Sequence, residues 1–333
     1  MNYKTYLRNF LKYNYMKNFF IILILSLLLF NNIGYSKNFV KLPKDVGSGS
    51  KFYKSLTGKY YKKHGVQIVN KEDGHPVRSG KQSIRFEVKQ GDCGKDKDGQ
   101  WDDCKNDRER HELSGGEEAM SSGEYWFSWS IYFPKDHKNL YPLSNAFGQF
   151  HQKGGHPVFM FKELKKGYSL VRTITEDDSL YDFSDYDEKL LLTNEEVSGK
   201  WFDVLINAKW TKKKNGFFKL WINDELKYDY VGPTKSRQKV YQKFGVYRTG
   251  ISRYINHVNI DKLKICLEEK GKTEKEYKAY IKLKIKKYPG HQTSIDLYEK
   301  CKNYYDVKTV PSTIIYFDEV RRSKSKEKVG VLN

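Results

Sequence analysis

The sequence predicts an all-β protein, a two-sheet sandwich of the jelly-roll type, and two observations carry that reading. Aromatic residues are abundant, with 26 Tyr, 19 Phe and 6 Trp among 333 residues, a bias that suits half-buried pleated strands. Short stretches of alternating apolar and polar residues also recur between turn signals, whereas βαβ units would interleave them with helical repeats.

The elements follow in order. Segment 65–70 predicts a strand, and 83–89 sets Ile84, Phe86 and Val88 against Arg85, Glu87 and Lys89, as a strand with one buried face requires. Further strands are predicted at 108–113, 124–133, 146–152, 158–163, 201–210, 217–222, 225–231 and 242–248, with Asn223-Asp224 as a hairpin turn. Residues 267–300 break the pattern. Tyr277, Tyr280, Ile281 and Lys284 recur at helical spacing, and Pro289-Gly290 stops the helix. Segment 312–320 is strand-like again. The expected organisation is therefore a β domain over 37–322 with a helical insertion at 266–301, then a mobile charged tail over 323–333.

Residues 1–36 predict an export signal: Lys17, an apolar run from Phe19 to Phe30, then Gly34-Tyr35-Ser36 as a small-residue cleavage site. Met16 is an alternative start, and an uncleaved N-terminal anchor is the competing reading. The apolar run is short for a membrane span, so no stable span is expected after cleavage. The formal net charge is +20. Cleavage would remove Lys4, Arg8, Lys12 and Lys17 but no acid, leaving a strongly basic exported chain suited to a polyanionic partner. Four cysteines in an exported chain favour disulfides. Cys93 and Cys104 bracket a short polar loop, and Cys266 with Cys301 follows as the second pair, at the base of the insertion. A cysteine zinc site would need CxxC spacing and clustered histidines, so no metal ligand is assigned.

Strand alternation gathers polar residues in three segments. Arg108, Arg110 and Glu112 share one side of the first, and Gln149 and His151 share one side of the second. In the third, Tyr241, Lys243 and Tyr247 share a side around Gly245, a mid-strand glycine that leaves room for a close approach to the backbone. Singly, these are an ion pair, a surface histidine and an amphipathic tyrosine. Together they describe a basic face carrying Arg, Gln, His and Tyr.

These segments resemble the jelly-roll polysaccharide lyases: the alginate lyases, the glucuronan lyases and the heparin lyase I-like group. Arg110-His111-Glu112-Leu113 is similar to their Arg-x-Glu-Leu strand and Gln149-Phe150-His151 to their Gln-x-His strand. Residues Tyr241 to Tyr247 are similar to their Tyr-x-Lys-x-Gly-x-Tyr strand, and 315–321 to their closing strand. The resemblance spans roughly 60–262 and 311–322. It departs at Tyr247-Arg248, where alginate lyases usually carry Tyr-Asn-Gln.

The resemblance implies a concanavalin-like sandwich that cleaves a uronate polymer by β-elimination. Arg110 and Gln149 would stabilise the carboxylate as the C5 proton leaves, and Tyr247 and His151 would share the acid and base roles. Tyr247 would need nearby cations to lower its pKa if it is also to serve as base. Lys243, Tyr241, Arg108, Arg248 and Gln152 are the expected substrate-binding residues. Such chemistry requires no cofactor; structural calcium is compatible with such a sandwich, and a monomer is expected.

Other functions fit less well. A glycosidase would need a pair of placed carboxylates, and the acids at 176–178 and 182–188 read as a polar loop. A lectin-like acidic-glycan binder would not require His151 and Tyr247 together. Nucleic acid is not expected as a partner, because no reader motif is present.

Overall fold

The computed structural model describes residues 39–47, 51–95, 101–174, 187–271 and 299–330. The expected signal segment 1–36 and the expected helix at 275–287 lie outside them. Among the described residues, one sheet has eight strands in the spatial order β1 (Phe39–Lys41), β2 (Lys51–Lys54), β5 (Arg108–Ser114), β14 (Val240–Thr249), β7 (Ser144–Gln152), β8 (Pro157–Leu164), β9 (Gly167–Arg172) and β10 (Asp187–Thr193). The other has seven, ordered β13 (Glu225–Val231), β12 (Phe217–Ile222), β11 (Trp201–Trp210), β6 (Gly123–Tyr132), β15 (Thr313–Ser323), β4 (Gln82–Val88) and β3 (Val66–Asn70).

Every strand pairing is antiparallel. The two inner faces form a single aromatic core, with Phe127 of β6 against Phe150 of β7 at 4.8 Å between ring centroids and Trp129 of β6 against Phe161 of β8 at 5.0 Å. This is the β-jelly-roll sandwich that the alternation predicts. The Asn223-Asp224 turn has φ of 46° and 64°, the left-handed pair that a two-residue hairpin needs.

The strands missed in the sequence are β1, β2, β9 and β10. β1 and β2 are three- and four-residue edge strands, too short to show alternation. β10 begins Asp187-Glu188-Lys189, all exposed, so its first half reads as loop. The helical insertion also starts earlier than expected. Helix α1 (Ile251–Val258) follows directly on β14, and α2 (Ile260–Glu269) carries Cys266 on its buried side. A second small core forms here from Leu140, Leu143, Ile251, Ile255, Leu263, Leu267 and the Cys266–Cys301 disulfide. The Cys93–Cys104 disulfide forms as well. The tail departs from expectation: β15 runs to Ser323 and Val329 is fully buried, so the chain stays packed well past 322. No helix among the described residues is long and apolar enough to cross a membrane.

Candidate active site

β5, β14 and β7 lie side by side, and their register assembles the site. Tyr247 stands opposite Arg110 on β5, while Lys243 stands opposite Gln149 and Tyr241 opposite His151 on β7. Their intervening residues Leu113, Phe244, Val246 and Phe150 point into the sandwich and are at most 1% exposed. Register shifts on β14 between Phe244 and Tyr247, and on β7 between Ala146 and Gly148, mark bulges, which re-aim side chains beside functional sites. Gly245 sits in the β14 bulge at φ 130°, and a Cβ there would lie 2.5 Å from the His111 carbonyl oxygen and 2.7 Å from the Phe86 ring. The close approach expected at this glycine is thus made by the neighbouring strand and the core.

Glu112, 1% exposed, is the hub of the face. Its Oε1 accepts from Gln149 Nε2 at 2.5 Å, and its Oε2 accepts from Lys243 Nζ at 2.7 Å and Arg110 Nη1 at 3.3 Å. Arg110 also makes a two-pronged pair with Asp103 of the disulfide loop, Nε to Oδ2 and Nη2 to Oδ1, both 2.5 Å. Arg110 is therefore more committed than expected, with Nη1 and Nη2 each keeping one N–H without a partner among the described residues. Its guanidinium lies 4.0 Å from the centroid of the Tyr247 ring. Tyr247 Oη accepts from Arg108 Nη1 at 2.5 Å, and Arg108 stacks on Trp101 at 4.6 Å.

The electrostatics separate the two candidate proton-transfer residues. Burial raises the Tyr247 pKa, outweighing the pull of Arg110 and Arg108, so the phenol holds its proton at neutral pH. The lowering by cations that a base role for Tyr247 would require is thus outweighed by desolvation. His151 goes the other way, to about 4, through burial first and then the positive charge of Lys243. Its Nδ1 lies 2.8 Å from the Gln152 carbonyl oxygen. A carbonyl only accepts, so Nδ1 carries the proton and Nε2 keeps its lone pair. Tyr241 stacks on the imidazole at 5.3 Å, and burial raises its own pKa to about 12.

Were His151 the base of an elimination, it would set the acid limb of the pH profile. The imidazole is active when neutral and is lost as pH falls through its pKa. The kcat/KM of the free enzyme should therefore fall with a midpoint nearer 4 than the ordinary 6.5. A midpoint at or above 6.5, measured where circular dichroism shows the fold intact, contradicts the base role.

Two expected substrate-binding residues lie elsewhere. Arg248 is fully buried on the opposite side of β14, its Nε donating to Glu109 Oε2 at 2.6 Å and its Nη1 to the Pro311 carbonyl at 2.7 Å. Gln152 is buried too. Its Oε1 accepts from Ser236 N and Arg237 N, both at 2.7 Å, so it secures the loop before β14. Each follows a cleft residue in sequence and so points to the other face. Conversely, Asp103, Lys162 and Arg253 were not singled out. Lys162 stands opposite Ala146, which stands opposite Tyr247, on the same row of the sheet. It has no hydrogen-bond or ion-pair partner among the described residues, and burial with the charges of Arg253 and Arg108 lowers its pKa to about 8. Arg108 Nε and Arg253 Nε are likewise buried without partners among them. Helix α1 brings Arg253 here because Asp107, next to Arg108, accepts from Ser252 N at 2.9 Å and Ser252 Oγ at 2.7 Å at the start of the helix.

The family profile described as "Polysaccharide lyase" matches residues 56–264, well over half the chain and spanning all three strands of the site. The chain belongs to the polysaccharide lyase family. The lyase has structural likenesses to several solved enzymes. An endo-β-1,4-glucuronan lyase from the fungus Trichoderma reesei is 13% identical, with 81% of this chain and 91% of that chain covered and a TM-score of 0.47. An alginate lyase of polysaccharide lyase family 7 is 13% identical, with 86% and 92% covered and a TM-score of 0.41. An alginate lyase from Pseudomonas aeruginosa is 14% identical, with 57% and 78% covered and a TM-score of 0.36. No curated protein matches the lyase. Family membership sets aside the glycosidase and lectin-like alternatives.

Proposed function

We propose that the lyase is exported and cleaves a hexuronate-containing acidic polysaccharide by β-elimination, with His151 as base and Tyr247 as acid. The observation that carries this reading is the presence, on one sheet face, of a protonated Tyr247 hydroxyl held by Arg108 and a neutral His151 whose Nε2 has no partner among the described residues.

His151 Nε2 takes the C5 proton and the C5–H electron pair becomes the C4=C5 bond. The C4–O4 bond breaks, and O4 leaves with the Tyr247 proton. Solvent then reprotonates Tyr247 and removes the proton from His151. The remaining N–H groups of Lys243, Gln149 and Arg108 face the substrate carboxylate, where negative charge grows in the transition state. Arg110, locked on Asp103 and stacked on Tyr247, supports the acid from behind.

The experiment is ultraviolet absorbance during incubation with alginate blocks, glucuronan, heparin, heparan sulfate and chondroitin. Elimination leaves a conjugated double bond that hydrolysis does not. Absorbance rising on one polymer supports the reading and names the substrate; fragments released without absorbance refute it.

The cationic row supports a polyanionic substrate and gives a separate expectation. Lys162 is charged below its pKa, so KM should rise as pH passes about 8. Lys162→Arg should remove that dependence. Lys162→Met should raise KM and also raise Tm by about 2 °C or more, because a half-buried cation beside two arginines is relieved. A KM that is flat from neutral pH past this pKa, or a lower Tm in Lys162→Met, contradicts the assignment.

A further inference from the structure

On the other side of β5, away from the cleft face, three side chains from separate segments converge. They are His64 from the loop before β3, Asp92 from the loop between β4 and β5, and His111 from β5 itself. His64 Nε2 lies 2.8 Å from Asp92 Oδ2, His111 Nε2 lies 3.3 Å from the same oxygen, and all three atoms fall within 4.8 Å of one another. We infer that His64, Asp92 and His111 form a binding site for a borderline-soft divalent transition cation, zinc foremost.

Hydrogen bonding alone does not satisfy this group. Asp92 Oδ2 already accepts from His64 and from the Lys89 backbone N–H at 2.7 Å. His111 is 2% exposed, yet among the described residues its Nε2 has no well-formed hydrogen bond, only the 3.3 Å ion-pair approach to Asp92 Oδ2. Protonated, that nitrogen is a donor without an acceptor; unprotonated, it is a lone pair without a donor. Either state carries the cost of an orphaned buried polar atom. A cation resolves all three at once, because two imidazole lone pairs and one carboxylate oxygen then point at the same centre. Two nitrogens and one oxygen suit zinc, whereas calcium takes oxygen ligands throughout. Solvent can complete a tetrahedron from the side of His64, whose side chain is 29% exposed.

The packing around the group is also that of a built site. A Cβ at Gly65 would lie 2.3 Å from the His111 ring, so only glycine lets the ring rest against the chain beside His64. The site is coupled to the cleft through the backbone. Arg110 N donates to the Asp92 carbonyl at 2.9 Å, and His111 lies between Arg110 and Glu112. A cation here would tie two loops to the base of the strand that bears Arg108, Arg110 and Glu112, immediately beside Cys93.

The test uses the purified lyase, stripped with chelator and titrated with Zn²⁺ alone by calorimetry and with Co²⁺ by visible absorption. The expected result is one equivalent bound, a Co²⁺ spectrum of four-coordinate character, and a Tm that rises with Zn²⁺ concentration. His64→Ala and Asp92→Asn should each weaken binding by about 100-fold or more, as loss of one of three ligands implies. His75→Ala, which removes a histidine bonded instead to Tyr316, should bind as the parent does. Absence of stoichiometric binding to the parent lyase overturns the inference without recourse to any variant. So does binding that His64→Ala leaves unchanged. The elimination assay is separate: a lyase that binds Zn²⁺ as described but yields no conjugated product refutes the proposed chemistry and leaves this site standing.

Discussion

Replacing Tyr247 with phenylalanine is expected to lower kcat by about 10²- to 10⁴-fold, the usual contribution of a placed general acid, while KM stays close to that of the parent. The substitution removes one oxygen and little else. The phenyl ring keeps its contacts with Ala146, Met160 and Val171 and its stacking beneath Arg110. Arg108 loses the hydroxyl that accepts from its Nη1, but its stacking on Trp101 remains. A loss confined to kcat, read from initial rates of absorbance with Tm unchanged, identifies the hydroxyl as a group that acts in the transition state. A variant within a few-fold of the parent rate would remove Tyr247 from the acid role and leave His151 without its partner.

The second large effect falls on stability. Glu112→Ala should destabilise the lyase by about 3–5 kcal/mol, because it strands a buried cation without its counter-charge. Lys243 depends on Glu112 for its only ion pair among the described residues, and Gln149 loses its acceptor at the same time. Burial lowers the Lys243 pKa, with the attraction of Glu112 opposing it, so loss of Glu112 makes the charged ammonium costlier still. Arg110 suffers less, since Asp103 remains. The pairing is tested by a double-mutant cycle in urea: Lys243→Met should recover much of the stability lost in Glu112→Ala. If the two losses simply add, Glu112 is not the counter-charge that holds Lys243.

Much of this was legible because a strand has a period of two. Arg110, Gln149, His151, Lys243 and Tyr247 fall on one face by alternation alone, and antiparallel register then brings them together. The same rule excludes Arg248 and Gln152, which were grouped with the cleft by adjacency when parity points both to the other side. What the sequence could not reveal is contact between distant segments. Asp103 reaches Arg110 from a cross-linked loop, Arg253 arrives on a helix started by Asp107, and Lys162 is two strands away from Tyr247. Glu112 was visible on the right face but read as a partner of Arg110 alone, because its convergent bonds to Gln149 and Lys243 come from two other strands. His64, Asp92 and His111 show no ligand spacing at all, since they come from three separate segments of the chain. The pKa of Tyr247 was open in the sequence for a related reason: neighbouring cations can be guessed from a list of residues, whereas the depth of burial cannot.

The Cys93–Cys104 cross-link has a consequence for when the site comes into being. Asp103 is the residue next to Cys104, and it is the partner that both prongs of Arg110 grip. Trp101, the platform for Arg108, hangs from the same short tether. Until that cross-link closes, the strands of the candidate site have only an unfastened loop to neutralise and aim their arginines. Under the proposed function, reductant should therefore lower the elimination rate before it melts the sandwich.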